Sequence, residues 1–552
     1  MASRRDELNA YSFARKRTNA SFLKPLPNGS IESAPKPLKA VVPSIVVSVL
    51  ILVGFGACGI IKPVAPQGWD QVGGNVLVGS KSTTRYVVLD DEDANGKHHK
   101  LLHPVLNLAS ARLLVDPKKF QVVKVDEEQL DGKIAHGPAI GIPFAPDRLP
   151  SVDDVDKPKT WAVCNRPGSG VGSKPQQAVF VLGGKDKNLV EGGQGRLKTP
   201  QALYVQDPDG KYYLVDPNGV AFEFDVTLGG KMPMSTSVAE RQNEILRQVV
   251  FHGSQPQKVT KQWMDTLVKS PIPLTMPNVP GAGTRSSTQG VPEQYRTAGQ
   301  VVQNSSGQKY VVTQTGVERV SNFIANILTS GPNARAVRKD DSGAEMKVPQ
   351  LATAEIDSTK DEVNDEKKFL DPLPFEVRGH KIDNPWPAED VEMANDFGSQ
   401  TSGLNSSAKT GVSCNFYTGT SNKYPGSEAF FKNGVPVMGA WVGTDYPGKI
   451  PAGSTTYVTP GSGLLYREVK TFDQAAGDGS MFLVTDTGLR YSVPNNNDGG
   501  KKAGNAEQKV GLNQAALGYE AARVPSLLEA WSRLLSSGPS LNRQDAEQPQ
   551  GS

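Results

Sequence analysis

The 552-residue sequence is poor in cysteine, histidine and aromatic side chains: it has three cysteines and six histidines, and 7% of its residues are aromatic. No arrangement of so few histidines with serine and aspartate suggests a Ser/His/Asp hydrolase. The formal net charge is +3 and the charges are interspersed along the chain. The basic face of a nucleic-acid-binding protein is therefore not expected, and nucleic acid is excluded as a partner.

The sequence also lacks a complete nucleotide-binding loop, which requires the pattern G-x-x-x-x-G-K-[ST]. The segment Gly443 to Lys449, GTDYPGK, comes close, but Ile450 stands where a hydroxyl is needed and Pro447 removes an amide. In GNVLVGSKS, which starts at Gly74, the lysine comes one residue late. No catalytic residue and no cofactor is therefore assigned. ATP is the alternative cofactor, and nucleotide hydrolysis is the reaction if the chain is an enzyme.

Three histidines, His98, His99 and His103, cluster in GKHHKLLHP. On a strand His99 and His103 would share a face that could hold a metal ion. No cysteine or carboxylate nearby completes a ligand set, so surface histidines on a hairpin are the preferred interpretation and no metal is assigned.

An uncharged apolar run extends from Ala40 to Ile61, between Lys39 and Lys62. A helix over this run would rise about 33 Å, enough to cross a hydrocarbon core of about 30 Å. Cleavage and acylation at Cys58, as in a lipoprotein, is a less favoured alternative, because the apolar run continues past that residue. A buried helix of a soluble core is a second alternative. We predict a retained transmembrane helix with ends at Ala40 and Ile61.

The leader, residues 1–39, is rich in arginine and lysine, whereas the residues after Lys62 contain no basic residue before Lys81. The positive-inside rule therefore predicts a cytoplasmic N-terminus and a large extracytoplasmic region in a single-pass membrane protein. Leu8 and Tyr11 have helical spacing among the basic residues. Two roles are expected for this amphipathic segment. It binds the anionic inner leaflet or a cytoplasmic partner, or it serves only to set the topology of the protein.

Glycine (56 residues) and proline (41 residues) are abundant, which favours short strands joined by many turns. With Cys58 assigned to the membrane, Cys164 and Cys414 remain as a pair on the oxidising side. A disulfide between them is favoured over two separate buried thiols.

Four stretches share a pattern of strand, polar turn with glycine, and second strand. Their turn glycines are Gly96, Gly210, Gly307 and Gly488. Apolar segments with the character of helices follow in several copies. A hairpin cannot bury its own apolar face, so a helix laid across each hairpin is expected. The irregular spacing of the copies excludes a closely stacked solenoid of fixed period.

The predicted fold is a bitopic membrane protein with one N-terminal transmembrane helix and an elongated α+β extracytoplasmic region, in which four hairpin-helix repeats surround a central β-rich domain. The predicted segments are a cytoplasmic basic segment (1–39), the span (40–61), repeat 1 (62–115), the first segment of the central β domain (116–195), repeat 2 (196–255), a linker with repeat 3 (256–330), the second segment of the central β domain with a charged insertion (331–475), repeat 4 (476–538) and a disordered tail (539–552).

Several motifs in this order resemble one family across nearly the whole chain. They include the opening MASRRDELNAYSFARKR, the single span, GIPFAPDRLP, WAVC, QKYVVTQTGVERVS, TPGSGLLYRE and LVTDTGLRYSV. The chain is thereby identified as similar to EccB, the membrane component of the type VII (ESX) secretion system of actinobacteria.

The resemblance implies a central domain closed by a disulfide, which falls on Cys164 and Cys414. It also implies an FtsK/SpoIIIE-like ATPase, a multi-span channel component and an EccE-type subunit as partners, together with self-association. The expected function is a structural subunit of the secretion complex. An EccB-type ATPase without a standard P-loop and a cell-wall-binding module are the alternatives.

Overall fold

The structure, a computed structural model, describes residues 3–23, 38–60, 67–92, 96–155, 157–168, 174–225, 236–340, 344–352, 356, 375–377, 380–382, 386–395, 411–420, 436–470, 479–494 and 511–550. The chain forms two compact units, Met1–Gln67 and Gly68–Ser552.

The first unit contains helices α1 (Arg4–Leu23) and α2 (Leu38–Ile60). The side chains of α2 are described from Val41 to Val53 and at Phe55, and the large apolar ones are exposed on every side of the helix. Over the described residues, no helix combines the length and the hydropathy needed to cross a membrane. Ala40 lies within α2, and Ile61 lies outside the described residues, so the span stays a prediction.

Three sheets of the second unit share one strand order, in which three antiparallel strands carry a short parallel strand on each edge. From edge to edge, the first sheet contains β4 (Val122–Val125), β1 (Val76–Gly79), β2 (Arg85–Glu92), β3 (His98–Val105) and β5 (Ala135–His136). The second contains β11 (Gln257–Lys258), β8 (Gln201–Gln206), β9 (Tyr212–Val215), β10 (Val220–Glu223) and β12 (Val268–Lys269), and β18 (Glu392–Met393) also pairs with β8. The fourth contains β25 (Ser526–Leu528), β22 (Leu464–Val469), β23 (Ser480–Val484), β24 (Leu489–Ser492) and β26 (Ser536–Ser537).

The third sheet contains the antiparallel strands β13 (Val301–Gln303), β14 (Lys309–Val312) and β15 (Val317–Arg319). A parallel bridge joins Gln303 to Gln350 on the outer side of β13. This bridge occupies the position that β4, β11 and β25 occupy in the other three sheets.

Aspartate and glycine shape the turns of the second sheet. Asp207 Oδ1 accepts from the amide of Lys211 (2.9 Å), and Asp216 Oδ1 accepts from the amide of Val220 (2.8 Å). Gly210 adopts a φ of +85°, which glycine reaches without the steric cost that a Cβ imposes. These turns fix the register of the three long strands.

The four glycines used to align the predicted repeats mark two different turns. Gly210 and Gly307 lie between the first and second strands of their sheets, whereas Gly96 and Gly488 lie between the second and third. The four predicted repeats were therefore aligned on turns that are not equivalent. The first strand of the fourth sheet, β22, was therefore overlooked, and it lies inside the range 331–475 that was predicted for the central domain. The first sheet likewise extends to β5, beyond the predicted boundary at residue 115.

Short helices lie between the strands. They are α3 (Leu108–Leu114), α4 (Glu127–Lys133), α5 (Val152–Val155), α6 (Asn188–Glu191), α7 (Thr236–Phe251), α8 (Lys261–Asp265), α9 (Asn322–Leu328), α10 (Gly331–Arg338), α11 (Leu512–Ala516), α12 (Glu529–Ser532) and α13 (Arg543–Ala546), with 3₁₀ turns at Gly184–Lys187 and Glu293–Tyr295. Asn107, Thr260 and Ser321 cap α3, α8 and α9 by accepting a backbone N–H, which satisfies a donor that the helix itself leaves free.

The central sheet runs in the order β20 (Pro436–Gly443), β19 (Val412–Thr420), β6 (Thr160–Arg166), β7 (Gln176–Leu182) and β21 (Thr456–Val458). A separate ribbon pairs β16 (Phe375–Val377) with β17 (His380–Ile382). The central sheet thus joins two regions of the chain that the second and third sheets separate in sequence.

The first and fourth sheets share one apolar core, which brings the two ends of the second unit together. Buried residues of this core include Val87 from the first sheet and Leu483 from the fourth. Leu541 and Ala546 are buried in it as well, and Gln550 N donates to Ala139 O (2.8 Å). The prediction of a disordered tail from residue 539 is therefore wrong up to Gln550, because these residues have apolar partners that the local sequence does not reveal.

Replacing both Cys164 and Cys414 by alanine should lower the free energy of unfolding of the second unit. The disulfide closes a loop of 250 residues. The chain-entropy model gives about 5 kcal/mol as an upper figure for such a loop. Chemical denaturation of the oxidised wild type and of the double variant measures the difference. Cys58→Ala in the wild type is the matched control and should leave the stability unchanged. Equal midpoints for the wild type and the double variant would contradict the assignment.

Candidate functional site

The seam between β6 and β19 lies at the middle of the central sheet and joins its two regions of sequence. Cys164 and Cys414 lie directly opposite each other in the antiparallel register, with their Cα atoms 4.0 Å apart, and they form the disulfide. Both residues are fully buried, with Phe180 and Phe416 in the same apolar cluster. The predicted pair is thus joined inside a core and not at a surface.

A buried glutamine connects this seam to the second sheet. Gln257 Nε2 donates to the carbonyl oxygens of Asn165 (3.2 Å) and Gly411 (3.3 Å). Its Oε1 accepts from Ser413 Oγ (2.6 Å) and from Asn395 Nδ2 (3.3 Å). Both donors and both acceptor positions of the amide are in use, so burying the side chain leaves none of its polar groups without a hydrogen bond.

Helix α8 is attached to the same seam by polar contacts. The amide of Thr260 donates to Asn165 Oδ1 (2.8 Å), and Trp263 Nε1 donates to the carbonyl oxygen of Ser413 (3.2 Å). Asn415 Nδ2 donates in turn to the carbonyl oxygen of Trp263 (3.0 Å). These directional bonds fix the second sheet against the central sheet.

An ion pair between the buried Lys159 and the partly exposed Asp154 connects the central sheet to the fourth sheet. Lys159 Nζ lies 3.1 Å from Asp154 Oδ1 and donates to the carbonyl oxygen of Asp154 (2.6 Å). Asp154 Oδ2 accepts from the amide of Gly463 (2.9 Å), which directly precedes β22. Burial lowers the pKa of Lys159, and the carboxylate of Asp154 opposes that shift. The pair therefore acts as a clamp between two sheets.

The first glycine-lysine segment forms a turn whose amides are already occupied. The amides of Lys81 and Ser82 each donate to Glu127 Oε1 at 2.8 Å, and Ser80 Oγ donates to Glu127 Oε2 (3.0 Å). A Cβ at Gly79 would lie 2.8 Å from that carboxylate, so glycine permits the close approach. These hydrogen bonds, the one from Ser82 first, lower the pKa of Glu127 to about 2. The turn binds an anion, and the anion is the chain's own carboxylate.

The second glycine-lysine segment crosses one side of the central sheet. Tyr446 donates from its hydroxyl to the carbonyl oxygen of Gln176 (3.1 Å), and its ring packs near Phe180. Lys449 is exposed, and the next element is strand β21 and not a helix. The segment therefore lacks the helix N-terminus that presents amides to phosphate in a P-loop.

The three clustered histidines occupy different environments. His98 and His99 are exposed on β3, as predicted, but His103 is buried, so the surface prediction is wrong for it. His103 Nδ1 lies 3.0 Å from the carbonyl oxygen of Pro138, and Nε2 lies 3.3 Å from Asp91 Oδ2. Among the described residues, no group of three or more His, Cys, Asp or Glu side chains could hold a metal ion.

A cleft opens between the central and fourth sheets. Its enclosed volume is about 10 Å³, which is room for a single water molecule. Small-molecule sites are usually about 300–1,000 Å³. The lining residues are Pro158, Lys159, Trp161, Tyr417, Leu464, Tyr466, Pro525, Ser526 and Leu527. The cleft is too small for a nucleotide in this form.

Sequence reasoning missed the residues that join the sheets, namely Gln257, Asp154, Lys159 and Glu127. A single polar residue in a sequence carries no periodic signal, and its partners lie far away along the chain. The spacing of glycine and lysine near Gly79 was the one local signal, and it suggested a bound phosphate where the structure has the carboxylate of Glu127.

A family model described as "Type VII secretion system ESX-1, transport TM domain B" matches residues 1–551. A relative named "ESX-3 secretion system ATPase EccB3" from Mycobacterium tuberculosis (strain CDC 1551 / Oshkosh) is 25% identical, over 92% of this chain and 83% of its own length. One named "ESX-1 secretion system ATPase EccB1" from Mycolicibacterium smegmatis (strain MKD8) is 26% identical, over 84% of this chain and 81% of its own length.

Two solved structures share the fold. A chain of an intact ESX-5 inner membrane complex has a TM-score of 0.52 and 19% identity, covering all of this chain and 96% of its own length. A chain of an EccB3 dimer from the ESX-3 core complex has a TM-score of 0.51 and 20% identity, covering 86% of this chain and 99% of its own length.

Glu127→Gln should destabilise the first sheet at neutral pH, and the effect should fade in acid. Because the pKa of Glu127 is lowered in the folded protein to about 2, its stabilising effect is complete above the unfolded value of 4.5 and is lost as pH falls toward 2. Thermal unfolding of the full chain in detergent from pH 7 to pH 3 tests this. Glu128→Gln, at the exposed neighbouring residue, should unfold at the same temperature as the wild type. A drop in unfolding temperature of Glu127→Gln that is the same at every pH would contradict a stabilising role of the Glu127 carboxylate.

Lys449→Ala should leave any ATP hydrolysis by the purified chain unchanged, because Lys449 is exposed in a segment without P-loop geometry. A phosphate-release assay on the wild type, Lys449→Ala and Lys81→Ala measures the rates. A loss of more than tenfold in Lys449→Ala alone, with folding intact, would show that this segment binds the nucleotide.

Proposed function

Because the chain belongs to the EccB family of type VII secretion membrane components, we propose that it is a structural subunit of an ESX secretion complex. Its second unit serves as a scaffold that holds other subunits in place, and its N-terminal region attaches the scaffold to the membrane and to the core of the complex. The observation that carries this proposal is the match of the family model along residues 1–551.

The bonding of the second unit supports a mechanical role. The disulfide ties two neighbouring strands of the central sheet together, and the Gln257 network and the Lys159–Asp154 clamp join that sheet to its neighbours. The contacts use up hydrogen-bonding groups inside the protein instead of directing them into a pocket. A rigid assembly of several sheets offers a long surface for partners.

A single-pass topology belongs to the same proposal. The uncharged run from Ala40 to Ile61 coincides with α2 as far as Ile60, and the described apolar side chains around that helix are exposed. Lipid would cover such a surface. The basic residues of 1–39 then place the N-terminus in the cytoplasm and the second unit outside.

Helix α1 is the proposed attachment point for core subunits. Leu8, Tyr11, Phe13 and Phe22 are each more than half exposed on a helix that also carries five basic residues in Arg4, Arg5, Arg15, Lys16 and Arg17. A patch of exposed apolar side chains marks a surface that binds a partner or a membrane. We therefore assign α1 to a partner, with the FtsK/SpoIIIE-like ATPase, the multi-span channel component and an EccE-type subunit as the candidates.

Self-association in the extracytoplasmic space completes the proposed function. The solved relative from the ESX-3 core complex is a dimer. Its identity to this chain is 20%, so the likeness concerns the fold. We propose that this chain also associates with copies of itself.

ATP hydrolysis is the second candidate, favoured by the word ATPase in the names of both curated relatives. Against it, Glu127 occupies the amides of one glycine-lysine turn, and the other turn leads into a strand. The scaffold role needs no such site and is therefore preferred.

Deleting residues 1–39 should detach the protein from its complex, since this removes α1. Blue-native electrophoresis of the detergent-solubilised complex, with mass spectrometry of its members, measures co-migration in a fixed ratio. A sharper variant, Leu8→Ser with Tyr11→Ser, should cause the same loss, whereas Asn9→Ala with Ser12→Ala on the same helix should not. Wild-type protein that migrates without any ESX subunit would refute the proposed function.

A further inference from the structure

The edges of the first, second and fourth sheets are closed on both sides. On the side of the third long strand, β5 pairs with β3, β12 with β10, and β26 with β24, each in parallel. These closing strands are two residues long, and they take up the outward-facing groups of the long strands. In the fourth sheet, for example, Gly538 N donates to Arg490 O (2.8 Å) and Leu541 N donates to Ser492 O (2.7 Å).

The third sheet has the same cover on one side. Gln303 N donates to Pro349 O (3.0 Å), and Leu351 N donates to Gln303 O (2.8 Å). On the other side, β15 has no strand beside it within the residues that the structure describes.

The register identifies which groups of β15 face this outer edge. Thr313 N donates to Gly316 O (2.9 Å), and Val320 N donates to Lys309 O (3.1 Å), so Gly316 and Val320 face β14. Backbone direction alternates along an antiparallel strand, so the N–H and C=O groups of Val317 and Arg319 face away from β14. Between described residues, no hydrogen bond to these four groups occurs.

The sequence explains why this edge differs from the other three. In those sheets a buried helical residue (Leu130, Trp263 or Trp531) is followed four positions later by a buried aliphatic residue (Ile134, Leu267 or Leu535), and the closing strand begins at the next residue.

The corresponding helical residue of the third sheet is Ile356, which is buried and follows Leu351 by five positions, as Trp263 follows Lys258. Four positions after Ile356 the sequence has Lys360, followed by Asp361 and Glu362. A lysine is not suited to a buried aliphatic position, because its charge would lose hydration without a partner. Position 360 thus carries no aliphatic residue of the kind that precedes the other three closing strands.

We propose that the outer edge of β15 binds an extended segment of another polypeptide as an added parallel strand. The three closed edges define the chemistry of that segment, which is an aliphatic residue followed by a short strand. Arg319 is exposed and has no ion-pair partner among the described residues, so an acidic side chain beside it completes the match. The proposal deepens the proposed scaffold function, on which it rests, by naming where a partner docks and in which form.

Photo-cross-linking of the full chain in its own cells tests the proposal. Benzoylphenylalanine at Glu318 should yield a cross-link to a different polypeptide. Arg319→Pro should abolish that cross-link, because proline removes an outward N–H while the bonds to β14 remain. Arg319→Ala, the matched control, removes the side chain and keeps the N–H, so it should weaken the cross-link by about fivefold at most.

A second variant does not depend on tolerance of proline. Lys360→Leu, Asp361→Val and Glu362→Lys together give the third sheet the closing sequence of the second, Leu267-Val268-Lys269. The chain should then close its own edge and displace the partner from Glu318.

A wild-type cross-link within the chain, a cross-link to a second copy, or none at all would each overturn the proposal. Blue-native electrophoresis of the same strains separates this failure from that of the proposed function. A complex that assembles normally with no partner at Glu318 refutes the edge proposal alone.

Discussion

The pairing of β6 with β19 is the constraint on which the rest of the second unit depends. It places residues 250 positions apart in direct register, and the second and third sheets lie between them in the sequence. Closing such a loop costs conformational entropy that local contacts cannot offset. The disulfide removes much of that cost from the folding equilibrium by restricting the unfolded chain. The surrounding sheets can then attach to a seam whose geometry is already fixed.

Polar contacts decide how those sheets are oriented on the seam. Apolar surfaces attract one another without direction, so a sheet could slide on its neighbour at little cost. The amide of Gln257 and the carboxylate of Asp154 each bind backbone groups of a second element at defined distances. A displaced sheet would leave these groups buried and unpaired, at a cost of about 1–3 kcal/mol each. These polar contacts therefore fix the orientation of the sheets on the central seam more than they add to the stability of the fold.

The features predicted from sequence are those with a local signal. The hairpins with glycine turns and the cysteine pair could be recognised because turn chemistry and cysteine scarcity are visible in a few residues. The closing strands could not, since two residues such as Ser536 and Ser537 show no alternation. The phase error at Gly488 arose because both turns of a three-stranded sheet use the same chemistry. The packing of Leu541 against the first sheet depends on contacts across the whole length of the second unit.

Glu127 shows why a motif alone does not determine function. Successive backbone N–H groups in a tight turn attract any anion, whether phosphate or carboxylate. What distinguishes a nucleotide site from a structural turn is whether the anion comes from outside or is supplied by the same chain. Here the carboxylate belongs to the first turn of α4, so the glycine-lysine turn fixes that helix next to the strand β5 that closes the sheet. The same reasoning applies to the edges. A short strand that the chain supplies to itself removes a binding surface, whereas the outer edge of β15, over the described residues, keeps backbone groups free for an added strand.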